Sequence, residues 1–502
     1  MHLKDLCGEI NCTLLQGSMD RDITDIVYDS RKIKPGSLFV CLPGAVTDGH
    51  EYISEAVEKQ VAAIVLEDLE KAEGIAAGVT VIHVRATRPA LALMSAALFG
   101  HPADKLVTIG ITGTKGKTTI AYTIKSILKE AGQKAGIIGS IGVDTGRTTF
   151  PTKNTTPESY EIQKSLAQMV KNGCRYAVLE VSSQGLKQSR TDGIFFDYGI
   201  FSNISSDHVG KAEHASFKEY LECKSRLFKQ CRTGIVNIDD RHCKELLDGH
   251  TCRVLGVSIK KSTGDLIAYD IEYIFGESRH GMSFKIKGLI NGSAQTQSPG
   301  EFSVYNALLS MAVCAELKEV ADNHILEGIK DVRVKGRLEL VNISHKFDVI
   351  IDYAHNEDSA RNVLKALSEY SHNRLICVFG CAGNRSRKRR YGMSKVIGEI
   401  ADFAVVTDEN PRFENPEKII DDIAHELDKH SIEYIKIRNR KEALAFAITH
   451  ALPGDMIVSL GKGHENYFDY SGVRTKYSEK ETIKEIEREI KSGKRIMKYT
   501  EL

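Results

Sequence analysis

From about residue 104 the chain alternates short apolar runs with longer amphipathic ones. "LVTIGIT", "YAVLEVSS", "YGIFSNIS" and "GIVNID" have strand length and are rich in β-branched and aromatic residues. Segments with helical spacing separate them, the first starting near Lys117. Apolar strands alternating with helices predict a parallel sheet covered on both faces. A second series follows "VKGRLELV" and runs "DVIIDYAHN", "RLICVFG", "FAVVTDENP", "YIKIRN" and "DMIVSLGKG". It predicts another doubly wound unit over about 335–502. Residues 256–298 are Gly-rich and β-like, ahead of a helix "EFSVYNALLSMAVCAEL". The first 88 residues hold a strand "SLFVCL" bounded by turn residues, a helical "YISEAVEKQ" and a strand "AAIVLED". A helical "RPALALMSAALF" then leads to a linker at His101-Pro102. The charged tail "KETIKEIEREIKSGKR" predicts a terminal surface helix.

The expected fold class is therefore α/β in three domains, over residues 1–100, 101–334 and 335–502. Length agrees, since 502 residues suffice for roughly three domains of about 150 residues each. Charge narrows the partners. With 68 basic against 67 acidic residues, bulk charge gives no reason to expect nucleic acid. No apolar run approaches the roughly 20 residues that span a bilayer, and the start "MHLKDLCGEINCTLL" lacks the features of a signal peptide. A cytoplasmic protein with no membrane partner is expected. None of the eleven cysteines forms a Cys-x-x-Cys pair, so buried reduced thiols are expected rather than a metal or redox site.

"IGITGTKGKTT", residues 109–119, carries the first chemistry. It follows a strand and opens a helix, the arrangement in which backbone N–H groups surround phosphate oxygens. Gly113 and Gly116 allow close backbone approach, Lys117 can neutralise phosphate charge, and the Thr118 hydroxyl can reach Mg²⁺. The usual phosphate loop has a Gly five places before Gly116; here that position is Ile111.

The compact form "TGTKGKTT" resembles the loop of the Mur ligase family, the ATP-dependent amide ligases of peptidoglycan assembly, and of the related folylpolyglutamate synthases. "DSRKIKPGSLFVCLPG", "NTTPES", "LEVSSQGL", "VYNALL", "KGRLE", "DYAHN" and "GKGHE" follow in the family's order across the whole chain. Together they resemble the branch that adds the third residue of the stem peptide. "DSRKIKPGSLFV" implies an N-terminal UDP-binding domain, which disfavours the folylpolyglutamate reading.

The resemblance implies a set of site residues. ATP would be held by Gly113, Thr114, Lys115, Gly116, Lys117, Thr118 and Thr119, with Asn306, Arg337 and Asp352 at the adenosine. Catalysis would fall to Lys117, Glu180, His208 and Lys224. Two Mg²⁺ ions would be bound by Thr118, Glu180, His208 and Lys224, the last as a carbamate. The acceptor UDP-MurNAc-L-Ala-D-Glu would meet Ser30 and its neighbours Asp29 and Arg31 at the uridine end. Thr155, Thr156, Ser182, Gln188 and Arg190 would hold its MurNAc-dipeptide part. For the incoming amino acid the resemblance points to Arg385, to Glu409, Asn410, Pro411 and Arg412 in "DENPRFENP", and to Gly461 and Glu465. Arg412 suits meso-diaminopimelate, whose distal carboxylate a guanidinium can bind in bidentate fashion. L-lysine or another diamino acid is the alternative, and a related ligase or a non-catalytic nucleotide-binding protein stands behind both. Hinges near 103 and 335 and a monomeric state are expected.

Five places depart from the family's pattern. Val209-Gly210 stand where Leu-Asp is usual, Glu357 and Tyr391 where Pro is usual, and Asn384 and Ser386 where Asp is usual.

Overall fold

The apolar runs become interior strands, and the amphipathic segments between them become the helices that bury those strands. The computed structural model describes residues 1–44, 47–205, 214–276 and 279–492. The chain divides into two units: Met1–Asp265 with Leu309–His324, and Leu266–Leu308 with the residues from Ile325 onward.

The first unit holds two sheets. In the N-terminal one the order is Cys12–Gln16, Thr80–Val84, Ala63–Leu66, Leu38–Val40, Ile26–Val27, parallel except for the antiparallel edge strand Cys12–Gln16. Alternation along the strands sorts their side chains. Leu38, Val40, Ala63 and Val65 pack with helix Thr87–Leu98, while Phe39, Ile64 and Leu66 pack with helix Ile53–Glu58.

The second sheet of this unit runs Arg253–Ser258, Cys231–Asn237, Phe196–Phe201, Val107–Thr112, Tyr176–Glu180, Ala135–Gly139, all parallel, with antiparallel Gly142–Asp144 and Thr149–Phe150 beyond. Val107–Thr112 lies between strands that follow it on both sides. A parallel sheet opens a crevice at such a point, outside the C-terminal strand ends. Ile111 is fully buried in this strand and pairs with Glu180 and Ile200. A glycine there would have no turn to make: the loop begins two residues later, at Gly113.

In the second unit the Gly-rich interval is an antiparallel meander, Leu266–Gly276, Arg279–Gly288 and Gly292–Thr296. The other sheet has the order Glu339–Leu340, Asp348–Asp352, Met456–Leu460, Leu375–Phe379, Phe403–Val406, Glu433–Lys436, parallel except at its first strand. Helices Glu357–Ser368, Arg387–Ile400 and Pro416–Leu427 cover one face, and Arg440–Thr449 with Glu479–Lys491 the other.

That last helix is the surface helix expected, with Glu481, Lys484, Glu485, Arg488 and Lys491 exposed, and its inner face is anchored. Ile483 and Ile486 are fully buried in the core, and Glu479 forms a buried ion pair with Arg440 at 2.8 Å. Arg440 also donates to Ser459 Oγ and the Leu460 carbonyl, which satisfies a charge pair that is costly to bury otherwise. A thin apolar stripe in a highly charged segment hid this face. All eleven cysteines are free, and all but Cys12 are buried. Among the described residues no helix is long and apolar enough to cross a membrane.

Candidate active site

Strand Val107–Thr112 delivers the phosphate loop, and helix Lys117–Glu130 leaves it. Gly113 (φ +149°) and Gly116 (φ +90°) both adopt backbone that side chains disfavour. A Cβ on Gly113 would fall 1.9 Å from Ser202 Oγ, so that position has no room for one. The neighbouring strand end fixes the loop from outside. Thr114 N donates to the Asn203 carbonyl (2.8 Å), Lys115 N to Asn203 Oδ1 (2.9 Å), and Ser202 Oγ to the Lys115 carbonyl (2.6 Å). Lys117 Nζ folds back onto the carbonyls of Gly113 and Thr114, at 2.7 and 3.1 Å. The helix thus begins at a loop that presents a lysine and the positive end of its own dipole.

Glu180 ends the adjacent strand and is 1% exposed. Its carboxylate accepts from Thr118 Oγ1 (2.9 Å), Ser140 N (3.0 Å) and Ser140 Oγ (3.1 Å). Ser140 Oγ also meets Thr155 Oγ1 at 2.9 Å. Phosphate loop, acidic strand end and the "NTTP" turn are therefore one bonded cluster. A hydroxyl and a carboxylate in contact beside a phosphate loop are the hard oxygen donors that Mg²⁺ takes, so this donor set fits the ion. Lys224, on helix Phe217–Ser225, is almost fully buried. Its Nζ donates to the Gly113 carbonyl (2.9 Å) and lies 4.6 Å from the Tyr220 ring centroid. Tyr220 OH in turn meets Thr114 Oγ1 at 3.0 Å. Thr119 continues the first helical turn, and His208 lies outside the described residues.

The acceptor residues form a second cluster against the first. Thr156 Oγ1 donates to the Glu180 carbonyl (2.8 Å) and meets Ser182 Oγ (3.0 Å). Ser182 caps helix Ser183–Lys187. Arg190 donates to the Thr156 carbonyl (2.7 Å) and to Gln188 Oε1, and pairs with Glu158 at 2.9 Å. Its Nε is buried with no acceptor among the described residues. Ser30 is buried elsewhere, in the short helix Ser30–Lys32, which Asp29 caps while its carboxylate pairs with Arg31. No hydrogen bond or ion pair links Ser30 to the Arg190 cluster among the described residues.

In the second unit three loops converge at strand ends. Gly383 N donates to the Asn410 carbonyl (2.9 Å), and Arg412 Nη1 reaches the Gly383 carbonyl (3.4 Å). This joins the loop of exposed Arg385 to the loop Glu409–Arg412, including buried Pro411. Asn410 Nδ2 then donates to Glu465 Oε2 at 2.8 Å, which adds the third loop. Gly461 (φ +99°) packs on Glu409: a Cβ there would meet Glu409 Oε2 at 2.8 Å. Glu409 is 5% exposed and accepts no hydrogen bond among the described residues. Burial, then Glu465, pushes its carboxyl up to about 7, against Lys462, Arg440 and Arg412. Arg412 holds left-handed backbone, φ +52°, fixed by Arg412 N on the Asp469 carbonyl and Ser471 N on its own. On the same unit Arg337 lies over the Tyr353 ring and Asp352 accepts from Leu338 N (2.8 Å). Asn306 is buried on helix Glu301–Ala315.

Three family descriptions match the chain in succession: "Mur ligase family, catalytic domain" over 22–98, "Mur ligase middle domain" over 111–314, and "Mur ligase, glutamate ligase domain" over 336–463. The UDP-N-acetylmuramoyl-L-alanyl-D-glutamate–2,6-diaminopimelate ligase of Caldanaerobacter subterraneus subsp. tengcongensis is 38% identical, covering 97% of this chain and 99% of its own. The chain belongs to the Mur ligase family. A solved structure of a ligase with that same name superposes with a TM-score of 0.67 at 25% identity, over 98% of this chain and 99% of the other. The MurF ligase of Thermotoga maritima in complex with ADP shares the fold, with a TM-score of 0.62 at 16% identity over 94% and 99% of the two chains.

Within this Mur ligase two of the departures from the family's pattern, Glu357 and Asn384, have a local physical reason. Glu357 opens helix Glu357–Ser368, where an acid suits the dipole as Pro suits the geometry. Asn384 sits at φ +54°, backbone that Asn tolerates, and its Oδ1 accepts from Phe413 N (3.0 Å). It thereby braces the Arg412 loop. Ser386 precedes helix Arg387–Ile400, and Tyr391 lies inside it. Val209-Gly210 lie outside the described residues. Sequence reasoning missed Ser140, Tyr220, Arg88 and Lys462. Arg88 shares Glu158 with Arg190, at 3.3 Å, and Lys462 stands inside the quoted "GKGHE". Ser140 and Tyr220 carried no sequence signal, because a hydroxyl gains its role only from what folds against it.

Proposed function

We propose that this Mur ligase adds meso-diaminopimelate to the D-Glu γ-carboxylate of UDP-MurNAc-L-Ala-D-Glu at the expense of ATP, giving the UDP-MurNAc-tripeptide, ADP and phosphate. The observation that carries the reading is the linked cluster Gly113–Lys117–Thr118–Glu180–Ser140–Thr155–Thr156–Arg190, which sets a phosphate loop against residues suited to a carboxylate-bearing acceptor. In this reading the domains span 1–100, 101–334 and 335–502 and the protein acts as a monomer.

The acceptor γ-carboxylate attacks the γ-phosphorus of ATP; an O–P bond forms, the bond to the β-phosphate oxygen breaks, and ADP leaves. The amine nitrogen then attacks the acyl carbon, forming the C–N bond as phosphate departs with the acyl oxygen and the amine sheds a proton. Lys117 and the helix N-terminus stabilise charge on the transferred group. Arg190, with Thr156, Ser182 and Gln188, orients the acceptor, and Ser30 holds the uridine end. Asn306, Arg337 and Asp352 take the adenosine. Mg²⁺, held by Thr118 and Glu180 with His208 and carbamylated Lys224, would supply further neutralisation of phosphate charge. Most of the catalysis is positioning and electrostatics.

Incubation with acceptor, ATP, Mg²⁺ and one of meso-diaminopimelate, L-lysine or L-ornithine tests the reading, with product mass and phosphate as readouts. Turnover confined to meso-diaminopimelate supports it; preference for another amine overturns the amino-acid assignment.

Arg412→Ala is expected to raise the KM for meso-diaminopimelate roughly 10–100-fold, because a charge-assisted contact contributes about 1.5–3 kcal/mol. The KM for ATP should not move. An unchanged KM for the amino acid removes Arg412 from the pocket.

Glu409 sets a pH dependence. An ammonium prefers the ionised carboxylate, and a carboxyl titrating at about 7 is mostly protonated below that pH. The KM for the diamino acid should therefore fall about tenfold from about pH 6 to about pH 8. Glu409→Gln should weaken binding and flatten the profile; a wild-type KM constant over that range contradicts the role given to Glu409.

A further inference from the structure

Glu158 caps helix Ser159–Lys171 and stands between two arginines. Its Oε1 accepts from Arg190 Nη2 (2.9 Å) and its Oε2 from Arg88 Nη1 (3.3 Å), and no more than 20% of any of the three side chains is exposed. Charges so enclosed are weakly screened. Arg88 lies on helix Thr87–Leu98, and its Nη2 donates to the Pro43 carbonyl (3.1 Å). Both prongs of its fork are therefore held. The N-terminal sheet and helix Ser159–Lys171 also meet without it. The Tyr160 ring packs edge-on against Phe99 at 5.3 Å, Tyr160 OH donates to Asp25 (2.8 Å), and Tyr28 OH donates to Glu161. The reaction above employs Arg190 and gives Arg88 no task.

We infer that Arg88 keeps Arg190 available to the acceptor by holding the second oxygen of Glu158. This rests on the proposal that Arg190 orients the acceptor. Nε and Nη2 form one edge of a guanidinium, an edge on which a carboxylate makes a two-pronged contact. In Arg190 that edge is half used: Nη2 has Glu158 Oε1, while Nε is buried with no acceptor among the described residues. Because Oε1 already sits on Nη2, a turn of the same carboxylate brings Oε2 to Nε. Arg88 prevents the turn by bonding Oε2 itself. The triad then carries one net positive charge and one unmet donor. Its match is the α-carboxylate of the acceptor D-Glu, which remains when the γ-carboxylate reacts. Without Arg88, Glu158 and Arg190 make a closed neutral pair, and the acceptor must displace Glu158 to bind. Arg88 is thus a positioning residue that acts on the substrate through Glu158 and Arg190.

The test is the KM for UDP-MurNAc-L-Ala-D-Glu at saturating ATP and amino acid, in the full-length protein. Arg88→Met keeps most of the side-chain bulk and leaves no buried charge unpaired. It is expected to raise that KM at least about tenfold, the equivalent of one charge-assisted contact, while kcat and the KM for ATP stay as in the wild type. The double variant Arg88→Met/Glu158→Gln also removes the competing charge, and should return the KM to within about threefold of wild type. If Arg88 merely braces the Pro43 loop, the double variant recovers nothing. An unchanged KM in Arg88→Met, or a raised KM that persists in the double variant, overturns the inference. ATP binding, which draws on the phosphate loop, reports whether each variant is folded. Should Arg88→Met fail that check, Glu158→Gln alone decides. An acceptor KM below the wild-type value or within about threefold of it supports competition by Glu158; a larger rise makes Glu158 a support for Arg190 and ends the inference. No turnover of this acceptor by the wild type is a distinct result, which defeats the proposed function and this inference with it.

Discussion

Lys117→Ala is expected to lower kcat by about 1,000-fold or more, with the fold intact. Lys117 is half-buried, and its Nζ donates to the carbonyls of its own loop at 2.7 and 3.1 Å. Truncation leaves those carbonyls in a loop still held by Asn203 and Ser202, so thermal stability should change little. Turnover is different. Phosphoryl transfer leaves the protein little covalent chemistry to perform, and catalysis comes from charge placed where negative charge develops. Removing one preorganised donor of this kind costs about 100–1,000-fold even when the donor is neutral; a full positive charge contributes more. Phosphate release and tripeptide mass at saturating substrates measure the effect. Near-normal product formation would falsify the assignment of Lys117, whatever the ATP affinity. Lys117→Arg is expected to recover little, since a planar fork does not replace a point charge in so narrow a loop.

Glu180→Ala is expected to reduce kcat by about 100–1,000-fold and, unlike the lysine change, to cost stability. The Glu180 carboxylate is the acceptor for Ser140 N, Ser140 Oγ and Thr118 Oγ1 in a site with 1% exposure. Deleting it strands the buried Thr118 hydroxyl, at about 1–3 kcal/mol, and leaves the two donors of half-buried Ser140 without their acceptor. Glu180→Gln separates the two effects. It keeps an oxygen acceptor and the volume but not the charge, so it should recover much of the melting temperature and little of the turnover. The Mg²⁺ concentration giving half-maximal rate should rise in both variants, because a divalent ion prefers charged oxygen ligands. If Glu180→Gln turns over normally at low Mg²⁺, the carboxylate is structural and the ion is held elsewhere.

How far the sequence reached is clearest at particular positions. Ile111 looked like a defect in a phosphate loop; in the sheet it is an interior strand residue, and the shortened loop is the family's own form. Arg385, Glu409 with Arg412, and Gly461 with Glu465 stand in three separate motifs. The second unit brings their three loops together through Gly383, Asn410 and Arg412. The tail helix was legible as a surface element, but the face it buries was not, because two isoleucines and one glutamate are few among so many charges.

The sequence by itself determined the α/β class, the succession of strands and helices, the family and the residue types of the site, because those follow from periodicity and from short motifs read locally. Tertiary structure alone decided the electrical state of those residues. Glu409 and Glu465 are the same side chain, and local sequence does not say that Asn410, the chain neighbour of Glu409, donates to Glu465 instead. The difference comes from Asn410 and Tyr353, brought to Glu465 from loops distant in sequence, beside Lys462 three residues away in its own loop. Local pattern fixes where backbone groups bond. Charge depends on burial and on through-space partners, and only the folded chain supplies both.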